Sequence, residues 1–99
     1  MTADRTPSIT RDDDASRYVL EDAPEDGFLV FDESNGRLIL IHTEVADDRE
    51  GQGIGSALVR FALEDAEERG LTVVPECNFV SGWLERHPDR AEDLDAVAA

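Results

Sequence analysis

Lysine is absent from this 99-residue chain, cysteine and tryptophan occur once each, and aromatic residues make up 6% of the total. A single cysteine, Cys77, rules out an internal disulfide. No apolar stretch approaches the ~20 residues that a membrane-spanning helix needs, and the polar first residues do not read as a signal peptide. The cytoplasm is the expected compartment. One cysteine and two widely separated histidines, His42 and His87, make no zinc pattern, and the acidic runs lack the ligand spacing of a calcium loop. No metal is expected. Without lysine, nine arginines stand against 24 acids, for a formal net charge of -15. A surface this negative repels a polyanion and draws in amines or basic peptides, so nucleic acid is not an expected ligand.

What is present suffices for one domain with one modest core, and 40% hydrophobic content argues against a wholly disordered chain. Residues 1–15 read as a disordered tail, polar and acidic with little beyond Ile9 to bury, and residues 16–99 as the domain. Within it Arg17 to Glu21 has strand composition, and Asp22 to Gly27 is a turn signal. The apolar runs Phe28–Phe31 and Leu38–Ile41 flank Asn35-Gly36, the strongest short hairpin signal. The second run continues through His42-Thr43-Glu44-Val45 and breaks at Ala46-Asp47-Asp48.

From Ile54 onward, Ala57, Leu58, Phe61, Ala62, Leu63 and Ala66 recur at helical spacing against a charged face, and Gly70 closes the helix. Leu71 to Val74 is a short strand ended by Pro75, so strand, helix and strand make a β-α-β unit with parallel strands. Phe79, Val80, Trp83, Leu84 and His87 predict a second helical segment after Cys77, ended by Pro88, with a last helical turn through Leu94 and Val97. The expected fold is α/β, a mixed sheet of about four strands with a β-α-β core and two helical segments.

Between strand and helix lies Arg49-Glu50-Gly51-Gln52-Gly53-Ile54-Gly55-Ser56. Three alternating glycines permit a sharp strand-to-helix turn that leaves the first amide N–H groups of the helix, from Gln52 to Ser56, open to an anion. A phosphorylated cofactor is the expected ligand.

The order His42 to Val45, Glu50 to Gly55, Val73-Val74-Pro75-Glu76-Cys77-Asn78-Phe79-Val80, Trp83-Leu84 and His87-Pro88 resembles the short, stand-alone branch of the GNAT superfamily of N-acetyltransferases, over roughly residues 17–88. That resemblance implies acetyl-coenzyme A with its pyrophosphate on the glycine loop and its pantetheine arm between the two parallel strands. It implies cofactor contacts at Val45, Arg49, Gly51, Gln52, Gly53, Ile54, Gly55, Ser56 and Asn78. The sequence departs from the wider superfamily at Glu50, where glutamine or arginine is usual, with Arg49 one position early.

The resemblance also implies Cys77 as an acetyl-accepting nucleophile, with His42 or His87 as possible bases; packing alone is the alternative. Glu44 is the other candidate, a general base that deprotonates an ammonium without a covalent intermediate, and His42 shares its face of the strand. The pair either lines the acceptor cleft or lies on the opposite face as a structural pair. No tyrosine follows the second strand to protonate a leaving thiolate; the only one is Tyr18. Trp83, with Phe79 and Leu84, reads as helix-to-sheet packing. The implied reaction is acetyl transfer to a primary amine of a small molecule or peptide, by a monomer or homodimer. Its rivals are a coenzyme A-binding module with little turnover and, more weakly, a nucleotide-binding protein using the same loop.

Overall fold

Asn35 and Gly36 sit at φ 53° and 77°, the two positive values that let a two-residue turn follow the twist of the strands it joins. The computed structural model describes residues 7–89. In chain order the elements are β1 (Ile9–Asp12), β2 (Arg17–Leu20), β3 (Gly27–Ser34), β4 (Arg37–Val45), a single 3-10 turn at Asp47–Arg49, α1 (Ile54–Arg69), β5 (Thr72–Pro75) and α2 (Asn78–Arg86). The five strands form one sheet in the order β1-β2-β3-β4-β5. Neighbours are antiparallel except β4 and β5, which are parallel and joined by α1 as the crossover.

The expected α/β sheet is therefore present, with one strand more than the sequence suggested. The addition is β1, inside the segment read as tail. Its pairing with β2 runs from Ile9 opposite Leu20 to Asp12 opposite Arg17. Burial of a long aliphatic run is not what holds it. Arg11, whose side chain is only 11% exposed, pairs with Asp13, Glu33 and Asp65, and its guanidinium carbon lies 4.5 Å from the ring centroid of Phe31. Asp65 belongs to α1 and also accepts from the Tyr18 hydroxyl at 2.8 Å and from Arg69 Nε at 2.8 Å. Ion pairing thus clasps β1 to β3 and α1. The sheet thus includes residues 9–12 of the segment read as tail, while the helical turn expected through Leu94 and Val97 lies outside the described residues.

In α1, Ile54, Leu58, Val59, Ala62, Leu63 and Ala66 are buried, and the helix stops at Gly70, which takes φ 70°. Its core face meets Tyr18, Leu20, Leu29, Phe31, Leu38, Leu40 and Val73 from the sheet. Burial of each such leucine or phenylalanine stabilises by about 1.5–3 kcal/mol. α2 adds Val80, Trp83 and Leu84 to the same cluster, so both helices lie on one side of the sheet. The other side, with Phe28, Val30, Ile39 and Val74 half-buried, carries no helix among the described residues.

A bulge interrupts β4. Val30 faces His42 and Phe31 faces Leu40, which leaves Ile41 as an extra residue in the strand. Strand alternation therefore changes parity at that point. Before it, Leu38 and Leu40 face the helices; after it Thr43, opposite the buried Leu29, and Val45 do, while His42 and Glu44 turn to the bare side.

Candidate functional site

Parallel pairing of β4 with β5 lasts only from Arg37 opposite Thr72 to Leu40 opposite Pro75. Beyond it, Glu76 and Cys77 both donate their backbone N–H groups to the Leu40 carbonyl, at 3.0 and 2.9 Å, and β5 turns away into α2. Residues 41–45 of β4 continue without a strand partner on that side among the described residues. This gap opens onto a cleft of about 530 Å³ between the end of β4, the glycine loop and the start of α2.

The glycine loop forms one end of the cleft. Gly51 and Gly53 hold φ 85° and 79°, and a Cβ at either would meet no atom within 4 Å. Glycine is required there by backbone conformation, and the space beside it is open. Gly53 is the N-cap of α1 and has no side chain to cap it, so the first N–H groups of the helix open onto the cleft without an intrahelical partner. The helix dipole adds partial positive charge at the same point. This donor set and this clearance fit a phosphate group. Arg49 stands beside it, donating to Gln52 Oε1 at 3.1 Å and to Asp26 Oδ2 at 3.3 Å.

Of the residues expected to bind cofactor, Val45, Arg49, Gly51, Gly53, Ile54, Gly55 and Ser56 line the cleft, joined by Thr43, Glu44, Glu50 and Phe79. Gln52 turns its side chain to Arg49 instead, and Asn78 is exposed at the first position of α2. Cys77 is 7% exposed and sits one contact behind the lining, its Sγ 3.3 Å from Thr43 Oγ1.

His42 and Glu44 come together on the bare side of the sheet, with Nε2 and Oε1 3.4 Å apart and side chains 58% and 52% exposed, and of the two only Glu44 also reaches the rim of the cleft. Among the described residues the polar partner of the Cys77 sulfur is neither of these but Thr43. His87 lies at the end of α2, stacked on Trp83 with its Nδ1 2.8 Å from the Trp83 carbonyl oxygen. Tyr18 is committed elsewhere: burial, and then its hydrogen bond to Asp65, push its phenol well above the usual range.

Two contacts around the cleft have no signal in the sequence. Thr43 was visible only as the neighbour of the His42 and Glu44 pair, and its inward placement depends on the bulge at Ile41. Trp83, read as packing, is indeed 1% exposed but also donates its indole N–H to Ser56 Oγ at 3.0 Å. No sequence signal pairs residues 27 positions apart on two helices.

Comparison with known proteins agrees with this geometry. A family model described as GCN5-related N-acetyl-transferase matches residues 17–94. The fold is similar to that of a proposed GCN5-like N-acetyltransferase from Staphylococcus aureus solved by NMR in solution, with a TM-score of 0.71 and 21% identity over 95% of this chain and 90% of the other. At that identity the likeness is one of fold. The family match spans β2 through α2, including the glycine loop, the splayed strands and Cys77, and on that basis the chain belongs to the GCN5-related N-acetyltransferases, a family of acyltransferase enzymes.

Proposed function

We propose that the protein binds acetyl-coenzyme A in this cleft and moves the acetyl group to a primary amine of a small molecule or peptide. The observation that carries the reading is the separation of β4 from β5 after Leu40, directly beside an uncapped helix start. Gly51 to Ser56 bind the pyrophosphate through backbone N–H groups, and the unpaired edge of residues 41–45 offers hydrogen bonds to the amide-bearing pantetheine arm. Acetyl-coenzyme A would supply the acetyl group as a thioester.

Two routes use this chain's own residues. In one, the Cys77 sulfur attacks the thioester carbonyl and takes the acetyl group as the bond to the coenzyme A sulfur breaks, the thiol proton passing to the leaving thiolate; the amine then attacks the Cys77 thioester and its proton returns to the cysteine sulfur. In the other, Glu44, with His42 beside it, removes a proton from the acceptor ammonium, and the amine attacks the thioester carbonyl directly, expelling the coenzyme A thiolate, which takes up the proton that the amide nitrogen loses. The formal net charge of -15 favours a cationic acceptor. The bare side of the sheet is open to solvent among the described residues, which suits a peptide or a loosely selected amine.

Isothermal titration with acetyl-coenzyme A, followed by intact-mass and peptide analysis for acetylated Cys77 and assay against a panel of amines, tests the proposal. Binding with acetyl transfer supports it, and absence of binding at millimolar ligand defeats it. A second reading has one observation in its favour: no tyrosine follows β5, where Asn78 and Phe79 stand. Tight binding with neither acetylated Cys77 nor acceptor turnover would identify a coenzyme A-binding module.

A further inference from the structure

Trp83 is the only tryptophan of the chain, and its ring is fixed on several sides. His87 stacks on it with centroids 3.9 Å apart and planes 11° from parallel, and the Arg60 guanidinium carbon stands 5.7 Å from its centroid. From this fixed ring Nε1–H donates to Ser56 Oγ at 3.0 Å. An indole nitrogen can only donate, so the serine oxygen is the acceptor and its own proton remains for another partner. Serine in a helix often spends that proton on the carbonyl one turn back. No such bond is found here, and Ser56 makes no other side-chain hydrogen bond among the described residues. Ser56 is the third residue of α1 and lines the cleft beside the open N–H groups.

We propose that Trp83 is a positioning residue for the phosphate end of the ligand: it holds the Ser56 oxygen in place so that the hydroxyl proton is presented to a phosphate oxygen. The inference rests on the coenzyme A reading given above and adds a donor that the glycine loop alone does not supply. A hydroxyl donating to an anion forms one of the stronger classes of hydrogen bond. The polar link also joins the two helices, so the start of α1 and the body of α2 are held in register around the cleft.

The test is a double-mutant cycle in the full chain with Trp83→Phe and Ser56→Ala, measuring affinity for coenzyme A by calorimetry and for S-acetylpantetheine, which has no phosphate, by NMR titration. Each single change is expected to weaken coenzyme A binding about tenfold, the double change no more than either, and S-acetylpantetheine binding to stay within about twofold. Ser56→Thr, which keeps the hydroxyl, should retain most of the affinity. Unchanged coenzyme A affinity in Ser56→Ala overturns the proposal, and so does equal weakening of both ligands, which marks Trp83 and Ser56 as packing alone. Ser56→Ala removes one hydroxyl at a half-buried position and decides the matter even if Trp83→Phe fails to fold. If the unsubstituted protein binds no coenzyme A, the underlying reading falls together with this one; binding that ignores Ser56 overturns only this one.

Discussion

Thr43 and Cys77 meet across the gap left by the separating strands, hydroxyl to sulfur at 3.3 Å. Thr43 lines the cleft and Cys77, 7% exposed, lies behind it, so a ligand reaches the sulfur past the threonine. If Cys77 carries the acetyl group, Thr43→Val, which keeps the side-chain shape and deletes the hydroxyl, should slow acetylation of Cys77 by about fivefold, the worth of one ordinary hydrogen bond. Coenzyme A affinity should change by less than about twofold. Thr43→Ser should restore the rate. A time course of adduct formation by mass spectrometry checks this, and an unchanged rate in Thr43→Val would show that the contact is only structural.

The clasp at Asp65 predicts a pH-dependent stability. Burial opposes its charge, but hydrogen bonds from Arg69, Tyr18 and Arg11 outweigh that and hold its carboxyl below the ordinary 3.8. A folded-state value below the unfolded one means that the unfolded chain binds the proton first. The contribution is therefore complete above the ordinary value and is lost as pH falls through 3.8 toward the folded value. Asp65→Asn should cost about 1–3 kcal/mol at pH 7, measured by urea denaturation, and the gap between variant and parent should narrow in acid. A gap independent of pH would place the effect in packing instead.

That clasp also shows where the sequence stops being legible. Strands β2 to β5 and both helices were readable because their apolar residues recur at the period of the element and their ends carry glycine, proline or Asn-Gly. β1 has one aliphatic residue, Ile9, and is held by Arg11, whose partners Glu33 and Asp65 are 22 and 54 residues away. Ion pairs across such separations leave no local pattern. The glycine loop was likewise readable, because positive φ at Gly51 and Gly53 is a local demand. Alternation alone leaves the facing of His42 and Glu44 open. It is decided by Ile41, one extra residue whose presence depends on pairing with β3.

Asn35-Gly36 offers a test of backbone conformation free of contacts. A Cβ at Gly36 would touch nothing within 4 Å, yet the residue holds φ 77°. Gly36→Ala should therefore destabilise by about 1–2 kcal/mol through left-handed strain alone, with the fold intact. Chemical denaturation gives the size, and an unshifted amide spectrum away from the turn confirms its locality. A loss below a few tenths of a kcal/mol would mean that the turn relaxes to another type.

Gly55 carries the opposite demand, and its substitution separates cleft function from stability. It lies in the first turn of α1, outside the positive-φ set, so alanine suits its backbone and should gain up to about 1 kcal/mol in the helix. The obstacle is a side chain: an added Cβ would lie 2.6 Å from Cζ of Phe79, whose residue is 39% exposed and lines the cleft. A ring exposed to that degree can swing, and the open direction is the cleft itself. Gly55→Ala should accordingly leave the urea midpoint nearly unchanged while weakening coenzyme A binding by roughly tenfold, since a displaced aromatic ring takes ligand space and breaks complementarity worth more than 1 kcal/mol. Gly55→Ala combined with Phe79→Ala should recover most of the affinity, because the methyl group then meets no ring. If instead the single variant loses more than about 2 kcal/mol of stability and keeps its affinity, the ring is locked as core packing, and the wall of the cleft must be sought elsewhere.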